Sequence, residues 1–161
     1  MKALFVLLYS LLFDLATPPE TREAPVLDAR LPTTHTPKDC LQCMCEVESG
    51  CTNKPCNSDP PGKSESCGYY QIKLAYYSEC GTPGWKKGKE TMEVAWKRCA
   101  ANKNCSMQCV IAYHNRWKHL CPGKSPCEQM SKQHNGGPYG CKRESTEKYW
   151  NKIKKACDIK I

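Results

Sequence analysis

The chain has 161 residues, a formal net charge of +8 and fourteen cysteines. So many cysteines in so short a chain argue against a reducing compartment and for an exported, disulfide-stapled protein. No apolar run is long enough to span a bilayer. The basic balance points to a polyanionic target, and the absence of any DNA- or RNA-reading motif argues against nucleic acid.

In chain order, Lys2 and the apolar residues 3–13 read as a signal peptide, with a small-residue cleavage site near Ala16. Residues 17–37 shift to Pro, Thr, Ala and charge, with no cysteine and no clear period, and read as a propeptide or flexible arm. Residues 38–161 form one domain, more basic than the whole because acidic residues outweigh Arg22 and Arg30 before it.

Within the domain, Leu41, Met44, Cys45 and Val47 make a rough helical stripe over 39–48, and Gly50 is a terminator. Glu48 then sits at the carboxyl end of a short helix. Residues 51–66 are a loop broken by Pro55, Pro60, Pro61 and Gly62, and residues 66–72 favour strand, which predicts a small hairpin. Residues 90–101 and 104–119 predict helices with Val94, Trp96, Val110, Ile111, Tyr113 and Trp117 available for burial. Ser125 caps a further helix, Pro126 takes its first position and Glu128 completes a capping box; Gly136, Gly137 and Pro138 end it after residues 129–135. A last helix covers 145–156, capped by Ser145 with Glu147 in its first turn. The sum is an α+β domain dominated by helices.

The cysteines are Cys40, Cys43, Cys45, Cys51, Cys56, Cys67, Cys80, Cys99, Cys105, Cys109, Cys121, Cys127, Cys141 and Cys157. They predict about seven bridges, each adding roughly 2–4 kcal/mol, with a connectivity that spacing alone does not reveal. The spacing of Cys40, Cys43 and Cys45 also fits a zinc thiolate site. No zinc-like Cys-x-x-Cys pair recurs downstream and the even total leaves no cysteine over, so no metal is expected. Asn104-Cys105-Ser106 is a formal glycosylation sequon whose central cysteine is expected to be bridged.

The chemistry concentrates in Cys-Glu-Val-Glu-Ser-Gly-Cys at 45–51, a loop bearing Asp59, and Ser-Cys-Gly-Tyr-Tyr-Gln-Ile-Lys at 66–73. Cleaving a glycosidic bond takes one carboxylic acid to protonate the leaving oxygen and one carboxylate across the sugar. Among Glu46, Glu48, Asp59 and Glu65 the sequence alone leaves the choice open.

These runs, with Cys-Leu-Gln-Cys-Met-Cys at 40–45, Tyr76-Tyr77, His-Asn-Gly-Gly-Pro at 134–138 and Gly140-Cys141, resemble the invertebrate-type lysozyme or destabilase family over residues 39–157. The resemblance implies a lysozyme-like fold and a secreted, retaining glycoside hydrolase. Its bond is the β-1,4 link between N-acetylmuramic acid and N-acetylglucosamine. It assigns the proton donor to Glu48 and the nucleophile or electrostatic partner to Asp59, leaving Glu46 and Glu65 as solvated charges. For sugar contacts it points to Lys73, Leu74, Ala75, Tyr76, Tyr77, Ser78 and Glu79, to Tyr113, and to His134, Asn135 and Gly136. His134 and Asn135 equally fit a helix carboxyl-terminal cap. Two departures stand out: Pro60-Pro61 lengthens the Asp59 loop, and Tyr77 and Glu79 replace the family's more frequent Trp and Asp. Some members are assigned an isopeptidase activity on a Ser and Lys pair, which falls here on Ser64 and Lys73.

No cofactor is implied. The expected partners are bacterial peptidoglycan, chitin-like oligosaccharides and anionic cell surfaces; the oligomeric state is not legible. The rival reading is a non-enzymatic cationic antimicrobial protein that acts on envelopes through charge alone.

Overall fold

The computed structural model describes residues 37–58, 62 and 64–159. The expected signal peptide and nearly all of the expected arm lie outside the described residues, as does Asp59.

Helix α1 (Pro37–Ser49) forms where the stripe predicts it, because Cys40, Leu41, Met44 and Cys45 share one face and all are buried. It stops where Gly50 and Cys51 turn left-handed at φ 64° and 55°, and the Gly50 N–H reaches the Glu46 carbonyl at 2.9 Å. The predicted hairpin is present but minimal. Strand β1 (Ser66–Cys67) pairs antiparallel with β2 (Ile72–Lys73), which sets Ser66 opposite Lys73 and Cys67 opposite Ile72.

Six helices follow or flank this hairpin in all. The short α2 (Leu74–Glu79) continues directly from β2. Then come α3 (Met92–Ala100), α4 (Lys103–Trp117), α5 (Pro126–Gly136) and α6 (Glu147–Ala156). Single 3₁₀ turns at Lys118–Leu120, Gly140–Lys142 and Glu144–Thr146 make the corners. None of the helices among the described residues is long and apolar enough to cross a membrane.

Three expectations are corrected by packing. The Ser125 hydroxyl accepts the Glu128 N–H at 3.2 Å, but the Glu128 carboxylate turns to Lys124 and Lys132 rather than completing the box. Ser145 is exposed and caps nothing; Thr146 precedes α6, and its buried hydroxyl donates to the Gly140 carbonyl at 2.8 Å. Val94 is 53 % exposed, since α3 buries the face made by Ala95, Trp96, Cys99 and Ala100.

All fourteen cysteines are bridged, so the sulfurs a zinc site would need are taken. The pairs are Cys40–Cys127, Cys43–Cys157, Cys45–Cys51, Cys56–Cys67, Cys80–Cys109, Cys99–Cys105 and Cys121–Cys141. Three of them leave α1, tying it to α5, to the end of α6 and to its own following turn. The Cys43–Cys157 bridge spans 114 residues, a loop worth about 5 kcal/mol on the chain-entropy account, against about 2 kcal/mol for a six-residue one.

Between α5 and α6 lies one buried charge. The Lys132 ammonium, 2 % exposed, meets Glu128 at 2.9 Å and also bonds Glu147. Burial works against the ammonium, but the bonds from Glu147 and Glu128 outweigh it and raise its pKa. Burial likewise works against the Glu128 carboxylate, yet the lysines win and hold it below the usual range. A carboxyl depressed in the folded state contributes stability above its unfolded pKa and loses it as pH falls through the folded value. The parent should therefore lose more melting temperature between pH 6 and pH 3 than a Glu128→Gln variant does. Equal losses in calorimetry would show that the triad contributes nothing.

Candidate active site

Glu48 occupies the last full turn of α1, half-buried, with its side chain 17 % exposed. The turn behind it is fastened locally: Ser49 Oγ donates to the Tyr69 carbonyl at 2.7 Å and to the Cys45 carbonyl at 3.1 Å. Lys54 Nζ closes the helix end on the Glu48 carbonyl at 3.3 Å.

The carboxylate faces a cleft of about 440 Å³. Beside it stands His134, near the end of α5, whose Nε2 lies 3.4 Å from Glu48 Oε1 and 3.0 Å from the Tyr70 carbonyl. A carbonyl only accepts, so Nε2 carries a hydrogen, and Nδ1 is left to accept the Tyr76 hydroxyl at 3.3 Å. The ring is thus oriented from both nitrogens, with the Glu48 carboxylate beside it. On the other side the Tyr149 hydroxyl is buried without a hydrogen-bond partner. Burial first, then the nearby Glu48 charge, pushes its pKa well above that of an ordinary phenol.

From His134 the cleft runs along aromatic rings. Tyr76 and Tyr113 stack with centroids 3.9 Å apart and planes 13° from parallel. Burial, then neighbouring Tyr113, Glu48 and Glu79, holds the Tyr76 hydroxyl well above the usual value. Burial leads again at Tyr113, whose pKa is pushed up to about 12. Glu79 closes this end, its carboxylate accepting the Trp117 indole N–H at 3.1 Å.

The cleft brings together most of the residues singled out from the sequence. Glu48, Lys73, Ala75, Tyr76, Glu79, Tyr113, His134 and Asn135 line it; Leu74, Tyr77, Ser78 and Gly136 do not. Tyr77 is fully buried and its hydroxyl donates to the Pro83 carbonyl at 2.8 Å, so it supports the α2 wall from behind. Ser78 is exposed and bonds back to Ala75. Gly136 is a packing glycine: a Cβ there would meet Thr146 Cγ2 at 2.5 Å. Of the Ser64 and Lys73 pair, both side chains are exposed, but strand register sets Ser66, not Ser64, directly across from Lys73.

The sequence reading missed Ser66, Gln71, Ile72, Gly137 and Pro138 as lining residues, Tyr149 as a neighbour of Glu48 and Tyr70 as the anchor of His134. Gln71 and Ser66 sit inside the run at 66–73 that carried the chemistry, Ser66 on β1 and Gln71 in the turn before β2. Glu46 and Glu65 are exposed, as expected for solvated charges.

The Destabilase family model matches residues 37–157. The chain belongs to this family. Invertebrate-type lysozyme 3 of Caenorhabditis elegans is 54% identical over 121 residues, covering 74% of this chain and 85% of that protein. A lysozyme of Meretrix lusoria is 44% identical over 116 residues, covering 72% and 86%. The crystal structure of Meretrix lusoria lysozyme in complex with Aeromonas hydrophila PliI aligns with a TM-score of 0.62 at 45% identity, covering 73% of this chain and 88% of that one. Tapes japonica lysozyme aligns with a TM-score of 0.62 at 42% identity, with the same coverage of 73% and 88%. The helix-dominated, disulfide-stapled lysozyme-like fold expected from the sequence is the fold found, and the chain is a lysozyme-type hydrolase.

Proposed function

We propose that the chain is a secreted, retaining lysozyme that cleaves the β-1,4 bond between N-acetylmuramic acid and N-acetylglucosamine in bacterial peptidoglycan. The observation that carries this is Glu48, held at the rim of a tyrosine-walled cleft with one carboxyl oxygen 3.4 Å from His134 Nε2. The Glu48 carboxyl carries the proton, which passes to the leaving glycosidic oxygen. Asp59 supplies the second carboxylate, stabilising the oxocarbenium-like transition state or forming the glycosyl intermediate. The stacked Tyr76 and Tyr113, with Lys73, Asn135 and Glu79, bind the sugars through ring faces and hydroxyl bonds. The Leu74, Ser78 and Gly136 contacts implied by the resemblance would be made at the cleft's margins.

Incubation with isolated, lipid-free peptidoglycan tests the reading. An enzyme clears the suspension and releases reducing ends, whereas a protein acting by charge on membranes leaves the wall intact. Chitin-like oligosaccharides are further substrates under this reading, anionic cell surfaces are its docking ground, and a bacterial inhibitor of the kind bound by Meretrix lusoria lysozyme is a further partner. The residues before 38 would then be the segments removed on export.

The family resemblance extends the proposal to amide cleavage by Ser64, with Lys73 as its base. Ser64→Ala should then abolish amine release from a γ-glutamyl-lysine substrate while sparing most glycan cleavage. An unchanged amine rate in that variant would remove the second activity.

A further inference from the structure

Two arginines that bond cleavage at Glu48 does not use adjoin residues of the cleft lining. Arg116, in the last turn of α4, lies 4.9 Å over the Trp117 ring and donates from Nη1 to the Glu79 main-chain oxygen at 3.2 Å. The Glu79 carboxylate is engaged by the Trp117 indole instead. Arg143 follows the turn Gly140–Lys142, and its Cδ lies 3.6 Å from where a Cβ on Gly136 would be, between the cleft residues Asn135 and Gly137. Both arginines are exposed, and neither forms an ion pair among the described residues.

The two arginines flank the same stretch of lining, Arg116 at Glu79 and Arg143 beside Asn135 and Gly137. The Tyr113 hydroxyl, raised chiefly by burial and then by Glu79, is pulled back down by Arg116 and Arg143 together. That hydroxyl lines the cleft and lies 3.9 Å from the Cβ position of Gly137.

We propose that Arg116 and Arg143 form a carboxylate receptor that grips the acidic appendage of the muramyl residue and sets a preference for peptidoglycan over neutral chitin-like glycan. The inference rests on the lysozyme reading of the cleft. An N-acetylated glycan backbone carries no charge, whereas each muramic acid bears a lactyl group ending in a carboxylate or in a peptide with carboxylates of its own. Guanidinium forks match that group in shape as well as sign. The Trp117 ring and the Glu79 carbonyl hold the Arg116 fork in place, which lowers the entropy lost when the anion arrives.

The test compares kcat/KM of the parent and an Arg116→Gln/Arg143→Gln double variant on three soluble substrates. These are a neutral chitin hexamer, uncross-linked glycan bearing stem peptides, and the same glycan after an amidase has left only lactyl carboxylates. Relative to chitin, the double variant should lose about tenfold on the acidic glycans, the scale of two partly exposed charge-assisted bonds. Arg116→Lys/Arg143→Lys should recover part of it. Loss on both acidic glycans identifies the lactyl carboxylate as sufficient, and loss on the peptide-bearing glycan alone identifies the stem; either result supports the receptor. A parent-like ratio, or an equal fall on all three substrates, overturns it. A parent that cleaves none of the three overturns the lysozyme reading itself, and this inference with it.

Discussion

Glu48→Gln is expected to bind glycan and to lose turnover by about 10²–10⁴, the typical contribution of a general acid. The substitution keeps the shape of the side chain beside His134, whose Nε2 lies 3.4 Å from Oε1. What it removes is the only proton the residue could give to a leaving oxygen. Asp59→Asn should fail as severely, because a neutral amide does not stabilise a cationic transition state. Glu46→Gln is the control: Glu46 is exposed and its carboxylate meets only the Gln42 amide, at 2.9 Å. Glu65→Gln is a second control, since Glu65 reaches only Lys97, 3.6 Å away on the surface. Release of reducing ends from peptidoglycan, with folding checked by circular dichroism, measures all four. A correctly oxidised Glu48→Gln protein that cleaves at near the parent rate would show the proton donor to be another group.

The largest expected effect on stability comes from a single methyl group at Gly68. This residue turns left-handed at φ +75°, and a Cβ there would stand 1.8 Å from the Ala100 carbonyl oxygen. The close approach is built in, because the next N–H, that of Tyr69, bonds the same carbonyl at 3.2 Å. Gly68→Ala must push the hairpin turn off the end of α3, where backbone and not a flexible side chain is in the way. Overlap and backbone strain together should cost about 3 kcal/mol or more, lowering the melting temperature by roughly 10 °C. Activity should fall with it, since the same turn presents the Tyr70 carbonyl to His134 and Gln71 to the cleft. Gly123→Ala separates the two causes: Gly123 has almost the same φ, +74°, with nothing within 4 Å of a Cβ. If both variants melt alike, backbone conformation and not the contact with Ala100 dominates.

How far the sequence was legible follows from how local each signal is. Ser125 as a cap and Gly50 as a stop were readable because their partners lie within four residues. Ser145 failed as a cap because Thr146 found a tertiary acceptor in Gly140 and set the start of α6 one residue later. Helix α2, six residues long, is too short to show a helical period. Tyr77 looks like a sugar contact beside Tyr76, yet successive helical residues point about 100° apart, and Tyr77 turns into the core. At the site, the carboxylates and the His-Asn-Gly-Gly-Pro run were legible through resemblance. The surroundings of Glu48 were not, since His134 and Tyr149 reach it from distant segments and Tyr70 holds His134 from a third.

The Cys43–Cys157 bridge makes the domain, topologically, a closed ring. A protease that cuts once anywhere between those two cysteines opens the ring but frees no fragment, and α1 with Glu48 stays joined to both new ends. A nicked molecule would keep its full mass on a non-reducing gel and separate into pieces only once a thiol is added. The smaller rings inside it, such as the one closed by Cys56 and Cys67, extend the same protection to the segment between them. A chain built this way can be clipped in a protease-rich fluid and remain one molecule, with its cleft still assembled.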